Sequence, residues 1–229
     1  MQRAVLNTAL AAALALPAGI PLAAVSPDPQ TPDQWFDDDA EQRAAAVNLG
    51  RLTFLSLPPK KTVLHQYQTI TIGRRSLRDG WVRLNQCFEH LDPVPLAQVV
   101  YNAMRTRSLK IDSFSGIEKA WVEGASVQLA DIRRGAKLCI EAENRSLRRN
   151  ADGSYSLRSG PFMRNFLDGY YPMRVTMQVN TRGLLRYVGI TPRPQAGFRV
   201  WQTTAEVHCE AWFEGKLFTE IRFRPRAPR

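Results

Sequence analysis

Residues 173–180, MRVTMQVN, alternate apolar and polar side chains, and this stretch indicates the fold most clearly. Met and Val occupy the odd positions, whereas Arg, Thr, Gln and Asn occupy the even ones, as in a strand with one buried face. Residues 180–183, NTRG, have the chemistry of a turn, and residues 184–190 have the pattern of a second strand. We therefore predict a β-hairpin from residue 173 to residue 190.

The same period of two recurs through most of the chain after Thr53. Residues 137–149 and 154–158 predict a second hairpin, because the turn between them contains Asp-Gly, which favours tight turns. The other predicted strands lie at residues 63–72, 81–88, 108–114, 120–131 and 198–203. Helical spacing occurs only briefly, at residues 96–104 and 162–167. These patterns predict a mainly β fold, an antiparallel β-sandwich or barrel-like sheet with two or three short helices.

Residues 205–213 and 217–223 also place apolar side chains at alternate positions. A two-residue loop at Glu214-Gly215 would set the apolar row of one segment opposite the charged row of the other. A three-residue loop instead pairs Phe213 with Leu217 on one face. We therefore predict a hairpin with a three-residue loop, or an equivalent bulge.

The N-terminal residues 1–24 have the layout of a secretory signal peptide, with Arg3, an Ala- and Leu-rich run and small residues before the cleavage point. We predict cleavage after Ala24 and a periplasmic or secreted location. An uncleaved membrane anchor is the alternative, because the apolar run is about long enough to cross a bilayer.

The rest of the chain divides by composition. Residues 25–50 are an acidic, Pro-rich linker followed by a predicted helix that begins near Asp33. Residues 51–224 form a single predicted β-rich domain. Residues 225–229 are a basic tail, the end of an Arg-rich segment that begins at Arg222 and is predicted to be extended.

Charge is distributed unevenly along the chain, which has a net charge of +10. Six acidic residues lie between Asp28 and Glu41, and Arg3 is the only basic residue before Arg43. The body from Arg43 onward therefore has 30 basic against 15 acidic residues, a net charge of +15. Such an excess favours an anionic partner, although dispersed surface arginines that only aid solubility are the alternative.

Three groups of basic residues are the candidate binding site. The first basic group comprises Arg74, Arg75 and Arg78. The second basic group comprises Arg133, Arg134 and Lys137, and the third comprises Arg145, Arg148 and Arg149. We expect each group in or near a turn, where loops at one end of a sandwich can gather guanidinium groups into one anion-binding patch.

The cysteines and the search for catalytic motifs provide little evidence for an enzyme. The three cysteines allow three pairings, among which we favour Cys87 with Cys139, and Cys209 is left as a free thiol. Three buried apolar cysteines are the alternative. The sequence contains none of the nucleophile-elbow, zinc-protease or phosphate-loop motifs. We predict no metal site and no cofactor.

The predicted function is an exported, non-enzymatic binding protein that presents a basic surface to an anionic partner. Lipid head groups, a cell-envelope polymer and an acidic protein are the candidate partners, with peripheral membrane contact among them, and nucleic acid is not expected in that compartment. A structural or accessory subunit of a cell-envelope complex is one alternative. A hydrolase with an unrecognised Cys/His or Ser/His site is another. The sequence leaves the ligand and the oligomeric state open.

Overall fold

A computed structural model describes residues 50–226 of the chain. The predicted signal peptide, its cleavage near Ala24 and the helix predicted from Asp33 lie outside the described residues, as do residues 227–229. The predictions on those segments therefore stay predictions.

Strands make up most of the described chain. They are β1 (Thr53–Phe54), β2 (Leu64–Thr71), β3 (Trp81–Leu91), β4 (Leu96–Val100), β5 (Thr106–Glu123), β6 (Ser126–Arg145), β7 (Leu147–Arg149), β8 (Tyr155–Phe162), β9 (Asn165–Phe166), β10 (Gly169–Tyr170), β11 (Met173–Asn180), β12 (Leu185–Thr191), β13 (Phe198–Gln202), β14 (Glu206–Glu214) and β15 (Leu217–Pro225). A single short helix, α1 (Ser76–Asp79), is found among residues 50–226. No helix in that range is both long enough and apolar enough to cross a bilayer.

Two sheets form the layers of the fold. The large sheet has the strand order β1-β14-β11-β2-β3-β6-β4, and β13 also pairs with β14 while β5 pairs with β6. The small sheet has the order β12-β15-β8-β7, and β9 and β10 form a separate ribbon. All pairs are antiparallel except β11 with β2. The predicted mainly β, sandwich-like fold is confirmed, with fewer helices than expected.

The core lies between the inner faces of the two sheets. The four apolar side chains of β11 are all buried, as the alternation in residues 173–180 predicts: Met173, Val175, Met177 and Val179. A very small cavity is lined by Met177 of β11 and Cys209 of β14 in the large sheet, and by Leu217 of β15 in the small sheet. Side chains of the two sheets therefore interdigitate there, which places each outer face in contact with solvent.

The last predicted hairpin is wrong in its pairing. Its alternation is correct, since Phe213 of β14 and Ile221 of β15 are fully buried. However, β14 belongs to the large sheet and β15 to the small one, so the chain crosses from one layer to the other at residues 214–216. Two apolar rows can face each other across a core as well as along one sheet face, and the sequence pattern is identical in both cases.

The hairpin predicted from residue 173 to residue 190 is wrong for the same reason. Its strands β11 and β12 lie in different sheets. The second predicted hairpin is confirmed only next to its turn, where β7 and β8 pair across Asn150. Residues 137–145, predicted as part of the same strand as β7, instead belong to β6 in the large sheet. The backbone N–H of Asn150 donates to Ser154 O at 2.8 Å, and Asp152 accepts from the Ser154 backbone N–H at 3.0 Å.

The segment from residue 106 to residue 145 is a long hairpin rather than three shorter strands. Strands β5 and β6 pair along most of their length and meet at a turn that contains Gly124, whose φ is +57°. The single strand predicted at residues 120–131 is therefore wrong, because this turn divides it. A positive φ suits glycine, which has no Cβ to clash with the backbone.

Both helices predicted within residues 50–226 are wrong. Residues 96–100 form β4, which pairs with β6 and alternates between partly buried and exposed positions. Residues 162–167 instead include the end of β8 and the short strand β9. In both places the apolar spacing is too short to distinguish a helical turn from a strand, and pairing with a neighbouring strand decides the conformation.

Candidate functional site

The structure brings two of the three basic groups to one end of the sandwich. Strand β3 begins directly after α1, and its Trp81 pairs with Arg145 at the end of β6. The Leu147 backbone N–H of β7 donates to Gly80 O at 3.1 Å, which fixes β7 beside α1. The first and third basic groups therefore lie near each other, in and around α1, β7 and the end of β6.

The second basic group lies apart from the other two. Arg133, Arg134 and Lys137 are within β6 rather than in a loop between strands, at a bulge where β6 advances from Ile132 to Lys137 while β5 advances only from Ser115 to Ile117. Arg145 lies opposite Trp81 at the start of β3, whereas Ala136, next to Lys137, lies opposite Leu91 at the other end of that strand. The three groups do not form one patch.

Two members of the three basic groups are already paired with carboxylates, which reduces the positive charge available to a ligand. Arg75 pairs with Asp79 at 3.0 Å, and Lys137 pairs with Glu89 at 3.0 Å. The Lys137 hydrogen bond lowers the pKa of the Glu89 carboxyl more than burial raises it. Among residues 50–226, the other members of the three groups have no carboxylate within salt-bridge distance.

The outer face of the small sheet carries a larger concentration of cations. Strand β15 buries alternate side chains against the core and turns Arg222 and Arg224 to solvent. In β7, β8 and β12, an exposed arginine follows a buried leucine in each strand. We call this surface the arginine face, and its five exposed arginines are Arg148, Arg158, Arg186, Arg222 and Arg224.

Strand register places these arginines close together. Arg186 lies directly opposite Arg224 across the β12–β15 pair. Arg148 and Arg222 both lie opposite Ser156, on either side of β8, so about 10 Å separates their strands. Like charges directly opposite each other on a sheet are destabilising. The arrangement therefore costs folding stability unless an anion neutralises it.

Two carboxylates offset part of this charge. Glu220 accepts from Arg158 at 2.6 Å and from the Ser156 hydroxyl at 2.9 Å. Burial raises the pKa of Glu220, but these hydrogen bonds and the charges of Arg158 and Arg148 outweigh it, so the pKa lies below its usual value. Arg158 is therefore already paired.

Asp152 in the β7–β8 turn is the other carboxylate near the arginine face. Hydrogen bonds from Ser154 lower its pKa most, and the positive charges of Arg222 and Arg224 lower it further. Across residues 50–226, however, neither of these arginines, nor Arg148 or Arg186, has a carboxylate within salt-bridge distance. The arginine face keeps a positive excess.

Four of the five residues on this face were missed by the sequence analysis. Only Arg148 belongs to the predicted groups. Arg222 and Arg224 were predicted as part of a strand end and an extended tail rather than of a binding site, and both lie in β15. The available signal was the alternation itself, because Arg158, Arg186, Arg222 and Arg224 each follow a buried apolar side chain at an exposed position.

The outer face of the large sheet carries mixed charge instead. Glu210 is only 8% exposed and accepts hydrogen bonds from Arg174, at 2.6 Å, and from Arg199. Burial raises the pKa of Glu210, but these hydrogen bonds and charges together hold it below its usual value. The Glu210 carboxylate of β14 thus balances the guanidinium groups of Arg174 on β11 and Arg199 on β13, the two strands beside it.

His65 joins the same network. Its Nε2 lies 3.0 Å from Thr176 Oγ1, and its Nδ1 lies 3.7 Å from a Glu89 oxygen. Burial lowers the pKa of His65, and the charge of Arg174 lowers it further, against the opposing effect of Glu89. The lowered pKa therefore favours the neutral ring at neutral pH.

The cysteines form one disulfide and one buried thiol. Cys87 of β3 and Cys139 of β6 lie directly opposite each other and are bonded, which is the pairing favoured from the sequence. Cys209 is buried, and its burial raises the thiol pKa to about 12. Over residues 50–226, no cluster of three or more His, Cys, Asp or Glu side chains has a geometry that could hold a metal ion.

Comparison with known proteins adds no assignment to this geometry. The sequence matches no protein-family model and no curated protein.

Proposed function

We propose that this protein is an exported binding protein that presents the arginine face to an anionic component of the cell envelope. The observation that carries the proposal is the direct opposition of Arg186 and Arg224 on the exposed side of the small sheet. Since opposed like charges weaken a sheet, their presence is best explained by a ligand that neutralises them.

The shape of the arginine face favours an extended anionic surface as the partner. Its guanidinium groups project from an open four-stranded sheet rather than from a cleft. Guanidinium groups bind phosphate oxygens through paired hydrogen bonds and remain charged at every physiological pH. A lipid surface that contains phosphate head groups offers many such oxygens in one plane, so we favour peripheral contact with an anionic membrane over a polymer or an acidic protein.

The disulfide supports an exported location. Bonds such as Cys87–Cys139 form and persist in oxidising compartments, whereas cytosolic thiols are kept reduced. This agrees with the signal peptide predicted at residues 1–24. The hydrolase alternative gains no support from Cys209, because a buried thiol with a raised pKa is not a nucleophile at neutral pH.

Vesicle binding tests the proposal. The full chain without its predicted signal peptide is mixed with vesicles of phosphatidylglycerol and phosphatidylcholine in equal parts, and the bound fraction is measured at increasing salt. Each exposed arginine near an anionic surface contributes about 1 kcal/mol, so changing Arg222 and Arg224 to Gln together weakens binding about thirtyfold. Raising ionic strength weakens wild-type binding, because salt screens these contacts.

A matched control uses the second basic group. The variant with Arg133→Gln and Arg134→Gln loses the same charge from another part of the molecule and retains most of the binding. Equal losses in the two double variants would show a response to net charge alone and refute the arginine face as the site. Binding to soluble polyphosphate but not to vesicles would replace the membrane with a polymer.

A further inference from the structure

A polar depression lies on the outer face of the large sheet, on the opposite side of the sandwich from the arginine face. Its volume is about 200 Å³, and the Cys87–Cys139 disulfide forms part of its lining. The polar side chains around it come from four strands and are Tyr67, Thr69, Asn85, Asp112 and Glu141. The depression is smaller than the roughly 300–1,000 Å³ typical of clefts for drug-sized ligands.

The depression differs from the rest of this face in its hydrogen bonding. Elsewhere the polar side chains bind one another across strands, as in the pairs Arg174–Glu210, Arg107–Glu143, Lys137–Glu89 and Gln178–Glu206. Among the described residues, in contrast, the hydroxyls of Tyr67 and Thr69 and the amide of Asn85 make no side-chain hydrogen bond. Donors and acceptors are therefore open to a ligand in this depression, on a face where many of the other polar groups pair with one another.

The types of side chain narrow the class of ligand. Tyr67 is 39% exposed, so part of its ring is available to a bound molecule. The face of an aromatic ring carries partial negative charge and attracts polarised C–H groups. Hydroxyl, amide and carboxylate groups beside such a ring suit a molecule with apolar C–H faces and hydroxyls around its edge.

We infer that this depression binds a single neutral pyranose unit of a glycan, with the ring packed on Tyr67. Thr69 and Asn85 both donate to and accept from its hydroxyls. Asp112 and Glu141 accept from hydroxyls, and the charge of Asp112 disfavours acidic sugars by repulsion. Glu141 is already paired with Lys110 at 2.7 Å, so it keeps its position without a ligand.

NMR titration of the exported chain tests this inference. The probes are three neutral hexasaccharides, namely cellohexaose, maltohexaose and chitohexaose. We expect at least one of them to give saturable shifts, in the millimolar range, at the backbone amides of residues 67, 69 and 85. Shifts with none of the three, or shifts confined to other parts of the molecule, overturn the inference.

Variants separate ring stacking from other effects. Tyr67→Ala weakens binding about tenfold, because it removes the stacking surface, whereas Tyr67→Phe keeps the ring and changes affinity by only about twofold. Trp201 is a matched control, because it is 46% exposed on the same sheet face and lies three strands away. Trp201→Ala leaves binding unchanged. An equal loss in Tyr67→Ala and Trp201→Ala would overturn the site.

This inference is independent of the proposed membrane contact. The Arg222→Gln and Arg224→Gln changes leave hexasaccharide affinity unchanged, since they lie on the opposite outer face of the sandwich. Loss of vesicle binding with retained sugar binding, or the converse, therefore distinguishes the failure of one proposal from the failure of the other.

Discussion

Replacing Arg186 with Glu separates the structural from the functional role of the arginine face. Arg186 lies on the edge strand β12, where its cross-strand neighbour is Arg224. Both side chains are exposed, so the substitution creates no cavity and buries no charge. The change converts a repulsive pair into an attractive one.

The expected magnitudes follow from that geometry. Removing a directly opposed like-charge pair and adding an exposed ion pair together stabilise the fold by about 1 kcal/mol. For a domain of this size, that change raises Tm by about 2–4 °C. The same substitution changes the charge of the arginine face by two units, which weakens binding to anionic vesicles by about 2 kcal/mol, or about thirtyfold.

Two measurements test whether Arg186→Glu raises Tm and weakens vesicle binding. Thermal unfolding followed by circular dichroism gives Tm, and vesicle sedimentation gives the affinity, both at low salt, where exposed charges act most strongly. Arg186→Gln removes the repulsion without adding attraction and gives about half of each effect. Arg133→Glu is the control for net charge. A lower Tm in Arg186→Glu, or an affinity loss no greater than that of Arg133→Glu, would refute the reasoning.

Three further predictions concern other residues. Glu210→Gln destabilises the protein by about 2 kcal/mol, because it removes a buried carboxylate from two guanidinium groups, and urea unfolding measures the loss. Because the folded-state pKa of Glu210 lies below its usual value of 4.5, the ionised carboxylate stabilises the fold above pH 4.5. This stabilisation is lost as the pH falls below that value, so the free energy of unfolding of the variant decreases less in acid than that of the wild type. Opening the Cys87–Cys139 disulfide, which spans 52 residues, lowers stability by up to about 4 kcal/mol on the chain-entropy estimate, and unfolding with and without reductant measures it. Cys209 resists iodoacetamide in the native state and reacts after denaturation; rapid native labelling would contradict its burial and its raised pKa of about 12.

Much of the strand content could be predicted from local sequence. Residues 173–180, 205–213 and 217–223 show which side chains point inward, and the structure buries those rows. Turn chemistry was equally informative at Asn150–Gly153, where β7 and β8 pair as expected. Short apolar runs, such as residues 96–104, were less informative, because helical and strand spacing coincide over so few residues.

The candidate site was harder to predict than the strands. Basic residues that are adjacent in sequence were grouped into three clusters, and the structure separates the second from the other two along β6. The arginine face combines residues from four strands, including Arg186 and Arg224, which are distant in sequence. Its members come together only because β12, β15, β8 and β7 pair side by side in one sheet.

The sequence alone determined the alternation in strands with a clear period of two, such as β11, β14 and β15, and with it the buried and exposed rows of those strands. Hydrophobic burial depends on a residue's own side chain and its near neighbours, so that information is local. Only the tertiary structure decided whether successive strands pair within one sheet or cross to the facing sheet. That choice depends on which layer covers each apolar row, a long-range property that a period of two does not encode.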